Sequence, residues 1–169
     1  MPTPIINLDQ VELHDMPPQF AAHGPAAERY APRMGLIGET IGTRKLGCNL
    51  TVLAPGKRAF PFHNHRVNEE MFIVVEGQGE VRIGAARYPI RQGDIIACPP
   101  GGQETAHQII NTSGAALRYL AISTKLSPEV AEFPDSGKFA LLVTDTDGTT
   151  LPVRTVGRLG ESVDYWEGE

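Results

Sequence analysis

Two histidines separated by one residue are the feature of this sequence best suited to chemistry. His63 and His65 stand in the segment GKRAFPFHNHRVNEEMFIVVEG, which runs from residue 56 to residue 77. In a β-strand, residues i and i+2 point to the same face, so the two imidazoles can converge on one point. A short polar connection then leads to Glu69 and Glu70, and it predicts an antiparallel hairpin. If Glu70 pairs beside His65, its carboxylate lies next to both imidazoles; Glu69 is the competing choice.

A third histidine, His107, follows later in the chain. The stretch from Pro99 to Gly102 must break the preceding strand, and His107 opens the next alternating segment. Three neutral imidazoles and one carboxylate suit zinc, manganese, iron, nickel, cobalt or copper better than magnesium or calcium. His14 and His23 lie in a proline-rich N-terminal stretch, and we interpret both as non-ligands.

The two segments resemble the two motifs of the cupin superfamily. The first offers a glycine, the His-x-His pair, a glutamate and a closing glycine; the second offers glycine, proline, glycine, histidine and asparagine between residues 93 and 111. The loop before His107 is longer than in the family pattern. The resemblance favours Glu70, because six residues separate the family's glutamate from its glycine, as six separate Glu70 from Gly77. It implies a metal bound by His63, His65, Glu70 and His107, with zinc, manganese, iron or nickel as the expected ions.

By the same resemblance the fold is all-β, a single cupin antiparallel β-barrel of jelly-roll type. Turn signals recur along the chain as in a sandwich or barrel. We expect an extended N-terminal arm over 1–33, the barrel over 34–124, and a short helix, a strand and a C-terminal tail packed on the barrel over 125–169. The helix should begin at Ser127, where an N-cap residue precedes proline and an acid. Strands are predicted over residues 34–43, 46–54, 58–65, 70–76, 80–83, 87–90, 95–98, 107–111, 117–123 and 139–144.

Composition excludes several classes of function. The chain has 169 residues and a net charge of −5, so nothing favours nucleic acid or an anionic membrane as a partner. No apolar run is long enough to span a bilayer. Cys48 and Cys98 have neither zinc-knuckle nor redox spacing, which favours a reduced, cytoplasmic protein. Cys98 is interpreted as a small buried hydrophobe rather than a pocket residue.

Residues around the predicted ligands suggest a substrate pocket and an assembly. The expected walls are aromatic, and the polar loop before His107 could contact substrate or supply a base, although an ordinary solvated loop is the alternative. Trp166 in the C-terminal tail is expected to anchor on the barrel or on a second subunit, with a lid over the barrel mouth as the alternative. Because related chains commonly form dimers, we predict a homodimer. The candidate pocket residues are Phe60, Phe62, Phe72, Gln103, Glu104 and Tyr119.

Three classes of function remain open. The first is a metal-dependent enzyme on a small polar metabolite, such as a sugar-phosphate isomerase, a label often given to a bacterial cupin subgroup that the C-terminal ending resembles. The second is a metal-dependent dioxygenase or decarboxylase. The third is a non-catalytic small-molecule binding module. Fold alone does not decide among them.

Overall fold

The computed structural model describes residues 3–145 and 153–169. Residues 1–2 of the predicted arm and residues 146–152 of the predicted C-terminal region lie outside the described residues. The helical elements are 3₁₀ turns at Leu8–Gln10, Gly24–Ala26 and Gln103–Thr105 and one helix, α1 (Ile37–Ile41). The strands are β1 (His14–Asp15), β2 (Arg33–Gly35), β3 (Leu46–Leu53), β4 (Asn64–His65), β5 (Glu70–Glu76), β6 (Gln78–Ile83), β7 (Ala86–Arg91), β8 (Ile95–Cys98), β9 (His107–Ile110), β10 (Leu117–Thr124), β11 (Glu129–Phe133), β12 (Lys138–Val143) and β13 (Val153–Arg158).

These strands form three antiparallel sheets. The largest has the order β1-β2-β3-β10-β5-β8, the second β13-β12-β11-β4, and the third β7-β6-β9. The strands expected at residues 46–54, 70–76, 80–83, 87–90, 95–98, 107–111, 117–123 and 139–144 are all present, with ends that differ by at most two residues. The all-β architecture predicted from the sequence is confirmed.

The core lies between the sheets and follows the alternation of each strand. In β5, Phe72 and Val74 point inward and are buried, while Met71, one residue before Phe72, points outward. Burying such side chains is the main favourable term for folding, about 25 cal/mol for each Å² removed from water. The other buried members of this cluster are Leu53, Ala59, Val81, Ile90, Ile96, Cys98, Ile109, Leu117 and Tyr119.

The glycine that closes the first motif has a structural task. Gly77 joins β5 to β6 with φ of +85°, and a Cβ there would lie 2.3 Å from the carbonyl oxygen of Ala116. Only glycine adopts this backbone conformation at low cost and leaves room for the neighbouring chain. The glycine therefore lets the chain pass from one sheet to another beside the start of β10.

The strand predicted over residues 34–43 is wrong. The strand β2 ends at Gly35, and helix α1 begins at Ile37 and ends before Gly42, which caps it in the left-handed conformation. Helix spacing places Ile37 against the body of the protein, where it is buried. The apolar residues of this segment fit one short helical turn as well as a strand.

The helix expected to begin at Ser127 is also wrong. Residues Glu129–Phe133 form β11, which pairs with β12 on one side and with β4 on the other. The capping signals around Pro128 are local, and tertiary pairing overrides local propensity. Among residues 3–145 and 153–169, the one α-helix is α1.

The two ends of the chain behave differently. The N-terminal arm is tied to the body: Lys57 Nζ donates to the carbonyl oxygen of Glu28 at 2.6 Å, and the backbone N–H of Arg58 donates to the carbonyl oxygen of Arg29 at 2.8 Å. In the tail, Trp166 is 72% exposed, so it does not pack on the body of its own chain, and its anchoring on a second subunit stays a prediction. Within the described ranges, no helix has the length and apolar character needed to cross a membrane.

Candidate metal centre

Three different sheets deliver the predicted ligands to one place. His65 belongs to β4, which pairs with β11, while Glu70 opens β5 in the largest sheet and His107 opens β9. His63 is held to His107 by two backbone hydrogen bonds of 2.8 and 3.2 Å. The predicted hairpin between the histidine pair and Glu70 is therefore wrong, because β4 and β5 are in separate sheets. The side chains meet because those sheets face each other across the interior.

The four side chains converge on one carboxylate oxygen. Glu70 Oε2 lies 2.9 Å from His107 Nε2, 3.5 Å from His65 Nε2 and 4.0 Å from His63 Nε2. All four donor atoms lie within 4.8 Å of one another. Two ligands bound about 2.1 Å from one ion lie at most about 4.2 Å apart, so only a small contraction of this cluster would be needed to coordinate one.

Hydrogen bonds orient two of the imidazoles for this task. His63 Nδ1 lies 2.7 Å from the carbonyl oxygen of Pro61, and His107 Nδ1 lies 3.2 Å from that of Thr105. A carbonyl oxygen only accepts, so each Nδ1 donates to the backbone and each Nε2 faces the cluster, where it would present its lone pair to a bound metal ion. Backbone carbonyls fix metal-binding histidines in the same way.

The remaining imidazole is unsatisfied in the described structure. Both ring nitrogens of His65 are buried and have no hydrogen-bond partner among the described residues. A buried polar group without a partner is costly, and a cation between His65 Nε2 and Glu70 would satisfy it. The unpartnered ring nitrogen of His65, together with the other three donors, therefore fits a bound metal ion.

Electrostatics favour a neutral His63 and an ionised Glu70, whereas for His65 burial is outweighed by Glu70 and Glu129, which raise its pKa. Burial, reinforced by His107, lowers the pKa of His63 to about 4. For Glu70, burial opposes ionisation, but the neighbouring imidazoles of His107, His65 and His63 outweigh it and hold the pKa of the carboxyl well below its usual range. At neutral pH the set therefore includes a neutral imidazole and a carboxylate, compatible with a divalent transition metal.

Glu129 is a residue of this centre that sequence reasoning missed. Its carboxylate is buried, and its Oε2 atom lies 3.6 Å from His65 Nδ1. It also accepts the backbone N–H groups of Arg66 at 3.1 Å, Val67 at 3.3 Å and Asn68 at 2.7 Å, as well as the Asn68 side-chain amide. Glu129 thus fixes the connection between β4 and β5, and it faces His65 Nδ1, the ring nitrogen that points away from the cluster. The sequence carries no local signal for this role, because the backbone groups that Glu129 binds lie about 60 residues earlier in the chain.

A cavity of 260 Å³ opens beside the four ligands. Of the predicted walls, Phe60, Phe72 and Tyr119 line it. Phe62 does not: it is buried elsewhere, with the Arg82 guanidinium 3.5 Å above the centre of its ring. The remaining lining residues, which sequence reasoning did not name, are Met34, Asn49, Ala59, Gln108, Ile109 and Ala121.

The polar loop before His107 does not reach this cavity. Gln103 and Glu104 form an exposed 3₁₀ turn, and Glu104 Oε1 accepts the backbone N–H of Gly102 at 2.9 Å. This hydrogen bond lowers the pKa of the Glu104 carboxyl. Neither residue lines this cavity, which agrees with the solvated-loop alternative, and contact of Gln103 or Glu104 with a substrate stays a prediction. Cys98 is a buried side chain, and burial raises the pKa of its thiol to about 12.

Comparison with known proteins finds a family match over the part of the chain that holds the four ligands. Residues 49–123 match the model of the cupin domain. Over 61 residues the chain is 31% identical to an uncharacterized protein of Methanocaldococcus jannaschii; the match covers 36% of this chain and 46% of that protein, so it spans about half of the relative's length.

Solved structures extend the likeness to nearly the whole chain. A sugar phosphate isomerase from a cupin superfamily of Silicibacter pomeroyi is similar, with a TM-score of 0.76, 23% identity, and coverage of 96% of this chain and 98% of that one. A protein of Acidithiobacillus ferrooxidans with a provisional sugar phosphate isomerase name gives a TM-score of 0.75 at 22% identity, with 96% of each chain covered.

A shorter likeness links the chain to a predicted oxalate decarboxylase of Thermotoga maritima, with a TM-score of 0.57 and 19% identity over 72% of this chain and 99% of that one. At these identities the likeness concerns the fold. The match to the cupin domain covers residues 49–123, and both motifs, with the four side chains that converge, lie within it.

Proposed function

We propose that this protein binds a divalent transition metal and acts as an enzyme on a small polar metabolite, with isomerisation of a sugar phosphate as the reaction. The observation that carries the proposal is the set of three imidazole Nε2 atoms gathered around Glu70 Oε2 in the wall of a cavity. The proposed ligands are His63, His65, Glu70 and His107.

The reaction class is favoured by how much of the chain the likeness covers. The match to the Silicibacter pomeroyi isomerase includes the arm and the tail, at 96% of this chain, whereas the match to the predicted oxalate decarboxylase covers 72%. The names belong to those proteins, and we bring the isomerase class to this chain as a hypothesis. Segments outside the shared barrel often form the substrate side of a site, so a likeness that includes them is the more informative one.

The chain's own residues suit a small oxygen-rich ligand. A bound metal would supply a Lewis acid that polarises a substrate oxygen. Apart from the four ligands, Tyr119 is the one titratable residue among the described residues that line the cavity. Burial raises the pKa of Tyr119, so its hydroxyl stays protonated and can donate a hydrogen bond. Phe60 and Phe72 would shield the reacting atoms from water.

Metal content is the first test of the proposal. The full chain would be purified without affinity metals and analysed for bound elements, beside His63→Ala and His107→Ala and beside the exposed His14→Ala as the matched control. We expect the first two variants to lose metal and the control to keep it. Absence of metal in all four proteins, with unchanged ligand binding in the two site variants, would overturn the metal site.

Ligand binding tests the reaction class. A set of phosphorylated sugars would be screened by thermal shift on the metal-loaded protein, because a ligand that binds the folded state must raise its melting temperature. We expect at least one sugar phosphate to raise it and to be converted to its isomer. Oxygen uptake after iron loading would instead favour the dioxygenase alternative, and binding without turnover would favour the binding module.

We further propose a homodimer in the reducing cytoplasm. Cys48 and Cys98 are both free thiols, which agrees with a reducing setting. The outer face of the largest sheet carries apolar side chains, with Met71 37% exposed and Ile95 68% exposed. Exposed apolar patches of this kind mark contact surfaces, and a second copy of the chain is the partner we propose.

A further inference from the structure

A second cavity lies between the N-terminal arm and the body of the protein. Its volume is 490 Å³, and we call it the arm cavity. The arm contributes residues between Met16 and Pro32, and the body contributes segments 58–62 and 133–138. The residues used in the argument below are Arg29, Arg58, Ala59, Phe60, Asp135 and Lys138.

Positive charge gathers in this cavity although the chain is acidic overall, at −5. Arg29, Arg58 and Lys138 line it, and none of them forms an ion pair with a carboxylate in residues 3–145 or 153–169. The single carboxylate in the lining, Asp135, is already bound by Arg82 at 2.8 Å. A concave surface with three unpaired cations attracts an anion.

The arm cavity adjoins the 260 Å³ cavity beside the four proposed ligands, which we call the metal cavity. Ala59 and Phe60 line both, so one short stretch of chain separates them. That stretch is fixed: Gln108 Nε2 donates to the carbonyl oxygen of Phe60 at 2.7 Å, and the backbone N–H of Arg58 donates to the carbonyl oxygen of Arg29 at 2.8 Å. Arg58, which directly precedes Ala59, is therefore held at the boundary of the two spaces.

We infer that the arm cavity binds the phosphate group of a phosphorylated metabolite through Arg29, Arg58 and Lys138, while the sugar end reaches the metal cavity. The guanidinium forks of two arginines match phosphate oxygens, and a lysine adds a third positive charge against a dianion. The inference names the substrate class of the metal centre and rests on the function proposed above. It also gives the N-terminal arm a role in binding, since the arm supplies Arg29.

The test measures binding rather than turnover. Isothermal titration of the metal-loaded full chain would use inorganic phosphate, fructose 6-phosphate, fructose and gluconate as probes. We expect the two phosphates to bind with an affinity that falls as salt rises, and fructose to bind much more weakly. Arg58→Gln and Lys138→Gln should each raise the dissociation constant for phosphate about tenfold or more, the loss expected for a charge-assisted hydrogen bond. Arg87→Gln, an exposed arginine on β7 that pairs with Glu80, is the matched control.

Each outcome separates this inference from the proposed function. If Arg58→Gln and Lys138→Gln keep their metal and bind phosphate as the unchanged protein does, the inference is overturned and the metal centre stands. If His63→Ala loses its metal but inorganic phosphate still binds and still depends on Arg58, the arm cavity is supported independently. Gluconate binding as tight as that of fructose 6-phosphate would overturn the assignment to phosphate.

Discussion

Glu129 offers the sharpest test of how the centre is built. One buried carboxylate accepts three consecutive backbone N–H groups, from Arg66 to Asn68, and its Oε2 lies 3.6 Å from His65 Nδ1. Replacing Glu129 with alanine removes every one of these contacts at once. We therefore expect this substitution to lower both the free energy of unfolding and the metal affinity, although it replaces none of the four proposed ligands.

The magnitude follows from the donors left behind. A buried N–H without an acceptor costs about 1–3 kcal/mol. The Asn68 N–H is buried, while those of Arg66 and Val67 are partly buried and can recover some of the loss with water. We expect Glu129→Ala to lower the free energy of unfolding by about 3–5 kcal/mol, as for other broken buried charged networks, and the melting temperature by roughly 10 °C. Loss of the carboxylate behind His65 should weaken metal binding about 10–100-fold.

Urea denaturation followed by circular dichroism, on metal-free and metal-loaded protein, measures both effects. Glu129→Gln keeps the shape and one acceptor oxygen and should give an intermediate loss of stability. Glu69→Gln, at an exposed glutamate one residue before a ligand, is the control and should change stability by less than about 0.5 kcal/mol. A Glu129→Ala protein within about 1 kcal/mol of the unchanged chain would refute the reasoning.

Three further predictions concern acid, a turn and assembly. The pKa of His63 falls from 6.5 in the unfolded chain to about 4 in the folded protein. The free energy of unfolding of the metal-free protein should therefore decrease by up to about 3 kcal/mol as the pH is lowered from 6.5 to about 4. The raised pKa of His65 offsets part of this decrease, and urea midpoints measured at several pH values give the net effect. Gly77→Ala should destabilise by more than about 1 kcal/mol, unlike Gly114→Ala, whose Cβ meets nothing within 4 Å. Light scattering should give a dimer mass that Ile95→Glu reduces; a monomeric mass for the unchanged chain contradicts the homodimer.

Residue type and spacing were sufficient to identify two of the four side chains that meet. His63 and His65 share a direction because strand geometry has a period of two residues, and that rule needs no tertiary information. Glu70 and His107 came from the family pattern instead. How they approach was not predictable: the hairpin expected from the polar connection does not form, because β4 pairs with β11 from far along the chain.

Long-range pairing also explains the other errors. Glu129 follows a serine and a proline that favour a helix start, yet its segment completes a sheet and its side chain serves the connection 66–68. Likewise, nothing local distinguishes Phe60, which lines the metal cavity, from Phe62, which packs under Arg82. The positions of residues that depend on contacts between distant segments cannot be predicted from the local pattern of a single sequence.

The placement of the four side chains on three separate sheets has a mechanical consequence. An ion held by His65 of β4, Glu70 of β5 and His107 of β9 would link three separate sheets through one set of bonds. Local opening of any one sheet would then require the ion to leave or to lose a ligand. Amide hydrogen exchange at the starts of these three strands should therefore slow together when metal is added, as one cooperative unit rather than three.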